Sequence, residues 1–162
     1  MDNKIYNKLL YYFTNSIIKV WGKLTDVPIG KPRIENVTGE AFTFTGYVST
    51  ASFGGGVSGR VIVALNEECA SVIGSVLSGK GQNNTTSEIL FSLAEFLNII
   101  NGNAVSSFNN EFEDKRIILS PPSAVYGKNL RFINFKIKGF NVVFPAGKNE
   151  IILNLVISEE KR

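Results

Sequence analysis

The hydrophobic positions change period several times along the chain, and each change marks an element. Ile5, Leu9, Tyr12, Phe13, Ile17 and Val20 recur at three and four, which predicts an amphipathic helix over residues 4–22 closed by Gly22. Pro28, Gly30 and Pro32 follow as an irregular connection. EAFTFTGYVSTASF (40–53) alternates and is rich in Phe, Tyr, Thr and Val, so it predicts a strand; RVIVAL (60–65) predicts a second, antiparallel to the first across a glycine-rich turn. Asn66 precedes Glu67 and Glu68 as an N-cap with acidic residues at the positive end of a helix dipole, and that helix runs to about Leu77 and stops at Gly79. After the polar loop KGQNNTTSE, a long helix capped by Thr85, Thr86 or Ser87 reaches about Asn109. RIILS (116–120), RFINFKIKGF (131–140), NVVFPAG (141–147) and EIILNLVIS (150–158) predict strands, broken by Pro121-Pro122 and turned at Gly139 and at Gly147-Lys148-Asn149. The order is α-β-β-α-α-β-β-β. No internal repeat or linker interrupts it, so 1–162 is read as one α+β domain with a mostly antiparallel sheet.

The long helix has two stripes. At about 100° per residue, Leu90, Leu93, Leu97, Ile100, Ala104 and Phe108 form a core face. Opposite them, Phe91, Glu95, Asn98 and Gly102 stand at i, i+4, i+7 and i+11. An outward face usually carries Lys, Glu, Gln and Ala; this one carries a phenylalanine, a carboxylate, a carboxamide and a glycine that costs about 1 kcal/mol relative to alanine. Periodicity alone leaves two readings. Either the stripe is a docking face with two polar groups at its centre, or Glu95 and Asn98 are ordinary solvent-facing residues, Phe91 covers a neighbouring helix and Gly102 permits a close helix crossing. Asn101 and Asn103 fall on the flanks and take no role.

Composition narrows the chemistry. The 162 residues contain no histidine, which removes histidine acid–base catalysis, histidine metal sites and every Ser–His or Cys–His nucleophile. Cys69 is the single cysteine, so no internal disulfide forms and a reducing compartment fits; its spacing with Val72, Ile73 and Val76 places it in the core. No metal site is expected. The N-terminal helix is broken by Asn7, Lys8, Thr14, Asn15 and Lys19, so it is not read as a targeting signal, and no unbroken apolar run of 18 residues predicts a membrane span. The net charge of +3 is dispersed along the chain, which reads as solubility and not as a nucleic-acid surface.

Two motifs mislead. Gly54, Gly56 and Gly59 spell G-x-G-x-x-G, but a dinucleotide fingerprint joins a strand to a helix, and these glycines join two strands. Gly74-Ser75-Val76-Leu77-Ser78-Gly79-Lys80 approaches a phosphate-binding loop, but Gly81 follows in place of the magnesium-binding hydroxyl. The stretch also closes a helix C-terminus, whose carbonyls repel phosphate.

The run Glu95-Phe96-Leu97-Asn98-Ile99-Ile100-Asn101-Gly102-Asn103-Ala104 resembles the signature helix of the CheX/CheC/FliY phosphatases of bacterial chemotaxis, which in CheX typically reads E-L-x-N-M-I-x-G-N-A. An opening helix, a glycine-rich hairpin, a short helix ending near L-x-G and then the signature helix also follow the CheX order. One signature helix, where CheC and FliY carry two, is similar to CheX. Ala94 stands where Gly is common, and Phe96 and Ile99 replace Leu and Met; neither Glu95 nor Asn98 is touched.

The resemblance implies a CheC-like fold and hydrolysis of the aspartyl phosphate of a CheY-like response regulator, with Asn98 orienting the attacking water and Glu95 pairing with the receiver's lysine. Phe91 and Gly102 would flank the contact. It further implies a homodimer joined through the sheets, a cytoplasmic location, no cofactor bound by this chain, and Mg2+ carried by the partner receiver. The alternative is a CheX-like docking module that binds receivers or other signalling proteins without hydrolysis.

Overall fold

In the computed structural model, which describes residues 3–37, 41–133 and 138–158, three helices cover one face of a seven-stranded antiparallel sheet. The elements are α1 (Asn3–Leu24), β1 (Arg33–Val37), β2 (Ala41–Gly55), β3 (Ser58–Leu65), α2 (Glu67–Leu77), α3 (Thr86–Glu111), a 3-10 turn (Glu113–Lys115), β4 (Ile117–Leu119), β5 (Ser123–Ile133), β6 (Lys138–Ala146) and β7 (Asn149–Ser158). The sheet runs β1-β6-β7-β3-β2, and the far edge of β2 is shared by β4 and β5.

Strand alternation sends side chains to two different cores. Tyr47, Ala51 and Phe53 of β2 and Val61, Val63 and Leu65 of β3 face the helices and join the main core. The intervening Val48, Ile62 and Ala64 point to the other face, where Phe42 closes on them with Phe44 and Phe132 around it. Phe42 and Phe44 reach that face by the same alternation, and the β2–β5 register shifts between Phe44 and Gly46, where β5 supplies Lys128 and Asn129 against Thr45 alone. Gly46 lets β2 pass close to the end of β3 there. Its φ is +138°, and a Cβ there would sit 2.8 Å from the Leu65 carbonyl oxygen.

The helix α3 is fixed at both ends and along its length. Its N-terminus carries a capping box: the Glu88 N–H donates to Thr85 Oγ1 (3.2 Å) and the Thr85 N–H donates to a Glu88 carboxylate oxygen (2.8 Å). Bonds from Lys80 and from Thr85 hold the Glu88 carboxyl below its usual range. Near its C-terminus, Glu111 accepts from the Tyr12 hydroxyl and pairs with Lys8 on α1. Between these ends, Ser16 Oγ donates to the Ile100 carbonyl (2.9 Å) and Trp21 meets Phe96 edge-to-face. By length and composition α3 could cross a membrane, yet half of its apolar window is buried within the fold.

Several expected boundaries move. Gly22 does not close α1, which runs on to Leu24. The hairpin stands, although its expected first residue, Glu40, lies outside the described residues. The G-x-G-x-x-G run is the hairpin turn, with the positive φ (+114°) at Gly55. The expected strand 131–140 serves two strands: Arg131–Ile133 pair with β2, whereas Lys138–Phe140 pair with β7, and 134–137 lie outside the described residues. Gly139 is no turn; it lies inside β6 opposite Val37 and Val156. The connection after α1 contains β1, whose RIENV sequence is exposed at a sheet edge and shows no apolar alternation. Cys69 is buried as expected, and burial pushes its thiol up to about 11, which leaves it inert at neutral pH. Val76, grouped with it by spacing, is exposed.

Candidate functional site

The outward stripe of α3 is where the periodicity placed it. Phe91 is 79% exposed, and Glu95, Asn98 and Gly102 are all exposed. The opposite face is wider than the expected stripe. Leu93, Leu97, Ile100, Ala104 and Phe108 are buried, Leu90 is half-buried, and Phe96 is fully buried against Trp21. Asn101, expected on a flank, is buried with neither amide atom hydrogen-bonded among the described residues; Asn103 is exposed.

The exposure of Glu95 and Asn98 suits a docking face and an ordinary solvent-facing surface alike, whereas the structural roles offered for Phe91 and Gly102 do not hold among the described residues. Phe91 covers no helix, given its exposure. Gly102 permits no close crossing within the chain, because a Cβ built on it meets nothing within 4 Å. The helix backbone there is open to a surface from outside.

One side of the stripe is walled. An open groove of about 520 Å³ lies between Phe91, Ala94, Glu95 and Asn98 on α3 and, across from them, Leu119 at the end of β4 with Ser120, Pro121 and Pro122 in the connection to β5. Sequence reasoning missed this second wall. Pro121-Pro122 reads only as a strand break, and no local pattern says that the break is carried back beside α3. Asn109 brings it there: its Nδ2 donates to the Ile117 carbonyl (3.0 Å), and its Oδ1 accepts from the Ile117 N–H (2.8 Å).

The electrostatics of the groove are sparse. Among the described residues Glu95 is the only charged one lining it. The side chains of Glu95 and Asn98 bond to no other described residue. No described lysine or arginine lines the groove to neutralise a phosphate. Among the described residues no cluster of three His, Cys, Asp or Glu could hold a metal. The site therefore presents a free carboxylate and a free carboxamide on a rigid helix, with apolar walls. A carboxamide donates and accepts hydrogen bonds but cannot act as a base. The site can orient a small molecule and pair with one cation.

Fold and site together define a CheC-like α+β domain whose signature helix stands open to a partner. The chain belongs to the CheX family: the family model for the chemotaxis phosphatase CheX matches residues 47–143. Solved structures agree on the fold. A chemotaxis protein CheX from Desulfovibrio desulfuricans aligns with a TM-score of 0.78 at 14% identity, covering 93% of this chain and 99% of its own. The CheX component of a CheX–CheY–BeF3–Mg2+ complex from Borrelia burgdorferi aligns at 0.75 with 21% identity, covering 93% and 97%. FliY of Thermotoga maritima aligns at 0.58 with 19% identity, covering 97% and 87%. No curated protein matches the chain.

Proposed function

We propose that this chain is a phosphatase for the aspartyl phosphate of a CheY-like receiver, working by placing the attacking water. The observation that carries this reading is the pairing of Glu95 and Asn98, one turn apart on α3, exposed and unbonded within the chain over an open groove. The Borrelia burgdorferi CheX, bound to CheY with BeF3 and Mg2+, supports a receiver as the partner.

The chemistry asks little of this chain. An acyl phosphate is already activated, and the receiver brings the Mg2+ that offsets its charge. Asn98 enters the receiver's active site and holds a water in line with phosphorus, as a glutamine does in GTPases. The water oxygen bonds to phosphorus, the bond from phosphorus to the aspartyl oxygen breaks, and its electron pair stays on the released carboxylate. Both of the water's protons leave with the inorganic phosphate. Glu95 pairs with the receiver's lysine and sets the register, while Phe91 and Gly102 flank the contact. The gain is positional.

This reading is tested by phosphorylating a CheY-like receiver and following its decay with and without the chain. Wild type speeds the decay. Glu95→Ala raises KM about tenfold or more, because it leaves a desolvated lysine on the receiver unpaired. An unchanged KM would remove Glu95 from the interface.

The chain acts in the cytoplasm, where receivers are found, and pairs with a second copy through its sheet. The support for pairing is the outer edge of β5: among the described residues its strand ladder runs to β2 alone, which leaves its other edge without a strand partner. Light scattering is expected to give about twice the 17.8 kDa chain mass. A mass of one chain at micromolar concentration would count against the dimer.

A further inference from the structure

The groove has two walls, and the receiver reading assigns a task only to one. The second wall is built with unusual care for a connection. β4 runs opposite Gly55, Gly54 and Phe53 of β2. The Ser120 N–H then donates to the Ser52 carbonyl (2.8 Å), and Ser120 Oγ accepts from the Ser52 N–H (2.9 Å). Pairing resumes with Ser123 opposite Thr50. Between these anchors β2 supplies one residue, Ala51, and the edge chain supplies two, Pro121 and Pro122. That is a β-bulge, a device that re-aims an edge strand and is frequent beside active sites. Proline suits it, since it has no N–H to leave unpaired and its φ is fixed. Asn109, three turns along the helix from Asn98, ties the start of β4 to α3. The diproline is thus rigid and registered to the helix that carries the proposed water-positioning residue.

We propose that the Ser120-Pro121-Pro122 bulge is the specificity wall of this site, sorting receivers by the segment beside their phosphoryl aspartate. The inference rests on the receiver reading above. Its chemistry follows from the lining: Phe91, Ala94, Leu119, Pro121 and Pro122 are apolar, and Glu95 is the only charge among the described residues. A receiver segment with small or apolar side chains packs against the prolines while a cation on the receiver meets Glu95. A segment with a carboxylate there is desolvated against proline, meets no cation among the described lining residues and is repelled by Glu95. The wall therefore admits the first kind of receiver and rejects the second.

The test compares wild type with the Pro121→Ala/Pro122→Ala double variant, using a beryllofluoride-loaded receiver for affinity and a phosphorylated one for turnover. The double variant is expected to bind at least about fivefold more weakly and to raise KM by the same factor, with kcat within about twofold, as for a lost contact shared by ground and transition states. Introducing a glutamate beside the receiver's phosphorylation site is expected to weaken binding to wild type about tenfold or more, and binding to the double variant much less. Pro122→Ala alone, which keeps the Ser120 anchors, repeats the comparison should the double variant melt early. Equal affinities for wild type and both variants, or equal losses from the glutamate, would overturn the wall. If wild type binds the receiver but does not speed its decay, the phosphatase reading falls while the affinity comparison still decides the wall. If wild type binds no receiver, both fall.

Discussion

Asn98→Ala is expected to lower turnover of a phosphorylated receiver by about 10²-fold or more while receiver binding stays within a few fold of wild type. The size follows from the single task assigned to the side chain. Water is abundant, so losing Asn98 removes no reactant; it removes the fixed geometry that makes one water an in-line nucleophile. The split between turnover and binding follows from the site's division of labour. Asn98 is neutral, whereas Glu95 carries the only charge among the described residues lining the groove and the walls carry the apolar contact. Asn98→Asp separates positioning from shape, because it keeps the volume but brings a negative charge towards phosphoryl oxygens. It is expected to be as inactive as alanine and to bind phosphorylated receiver more weakly.

Phe96→Ala is expected to destabilise the fold by about 3–5 kcal/mol, the range for removing a buried aromatic ring. Phe96 is fully buried in the middle of α3 and meets Trp21 edge-to-face, with ring centres 6.4 Å apart. Trp21 is itself held by its indole N–H, which donates to the Val27 carbonyl at 2.9 Å, so it cannot swing in to fill the cavity without losing that bond. For a domain of this length the melting temperature should drop by roughly 6–20 °C. Phe91→Ala, on the same helix but 79% exposed, should shift it by no more than about 2 °C. Thermal unfolding followed by circular dichroism separates the two. Equal shifts would mean that the assignment of inner and outer faces is wrong.

The outer face of α3 was legible because helical periodicity is local: Phe91, Glu95, Asn98 and Gly102 fall on one line whatever the helix packs against. The same periodicity placed Leu93, Leu97 and Ile100 correctly. It could not show that Phe96 and Asn101 are also buried, since how far burial extends around a helix depends on the elements packed on either side. The β2–β3 hairpin was legible from alternation and glycine, and α2 from its Asn66 cap. The edge strands were not. β1 is RIENV and exposed, while β5 begins after two prolines and contains Gly127 and Asn129, so β1 and most of β5 read as connection, and only Arg131–Ile133 of β5 fell in an expected strand. Their pairing is set by partners far along the chain: β6 for β1, and β2 for β5. The diproline wall was hidden for the same reason. Its residues announce a break, but only the Asn109 bonds to Ile117 and the Ser52–Ser120 pair bring that break to the groove. Family resemblance supplied what neither periodicity nor packing could, namely the chemical roles proposed for Glu95 and Asn98.

The most direct measurement is the decay rate of a phosphorylated CheY-like receiver as a function of added wild-type chain, with Asn98→Ala run alongside. A water-positioning phosphatase predicts a rate that rises with wild-type concentration and saturates, and a flat line at the receiver's own decay rate for Asn98→Ala. A wild-type line as flat as the variant's, with binding demonstrated in the same samples, would contradict it.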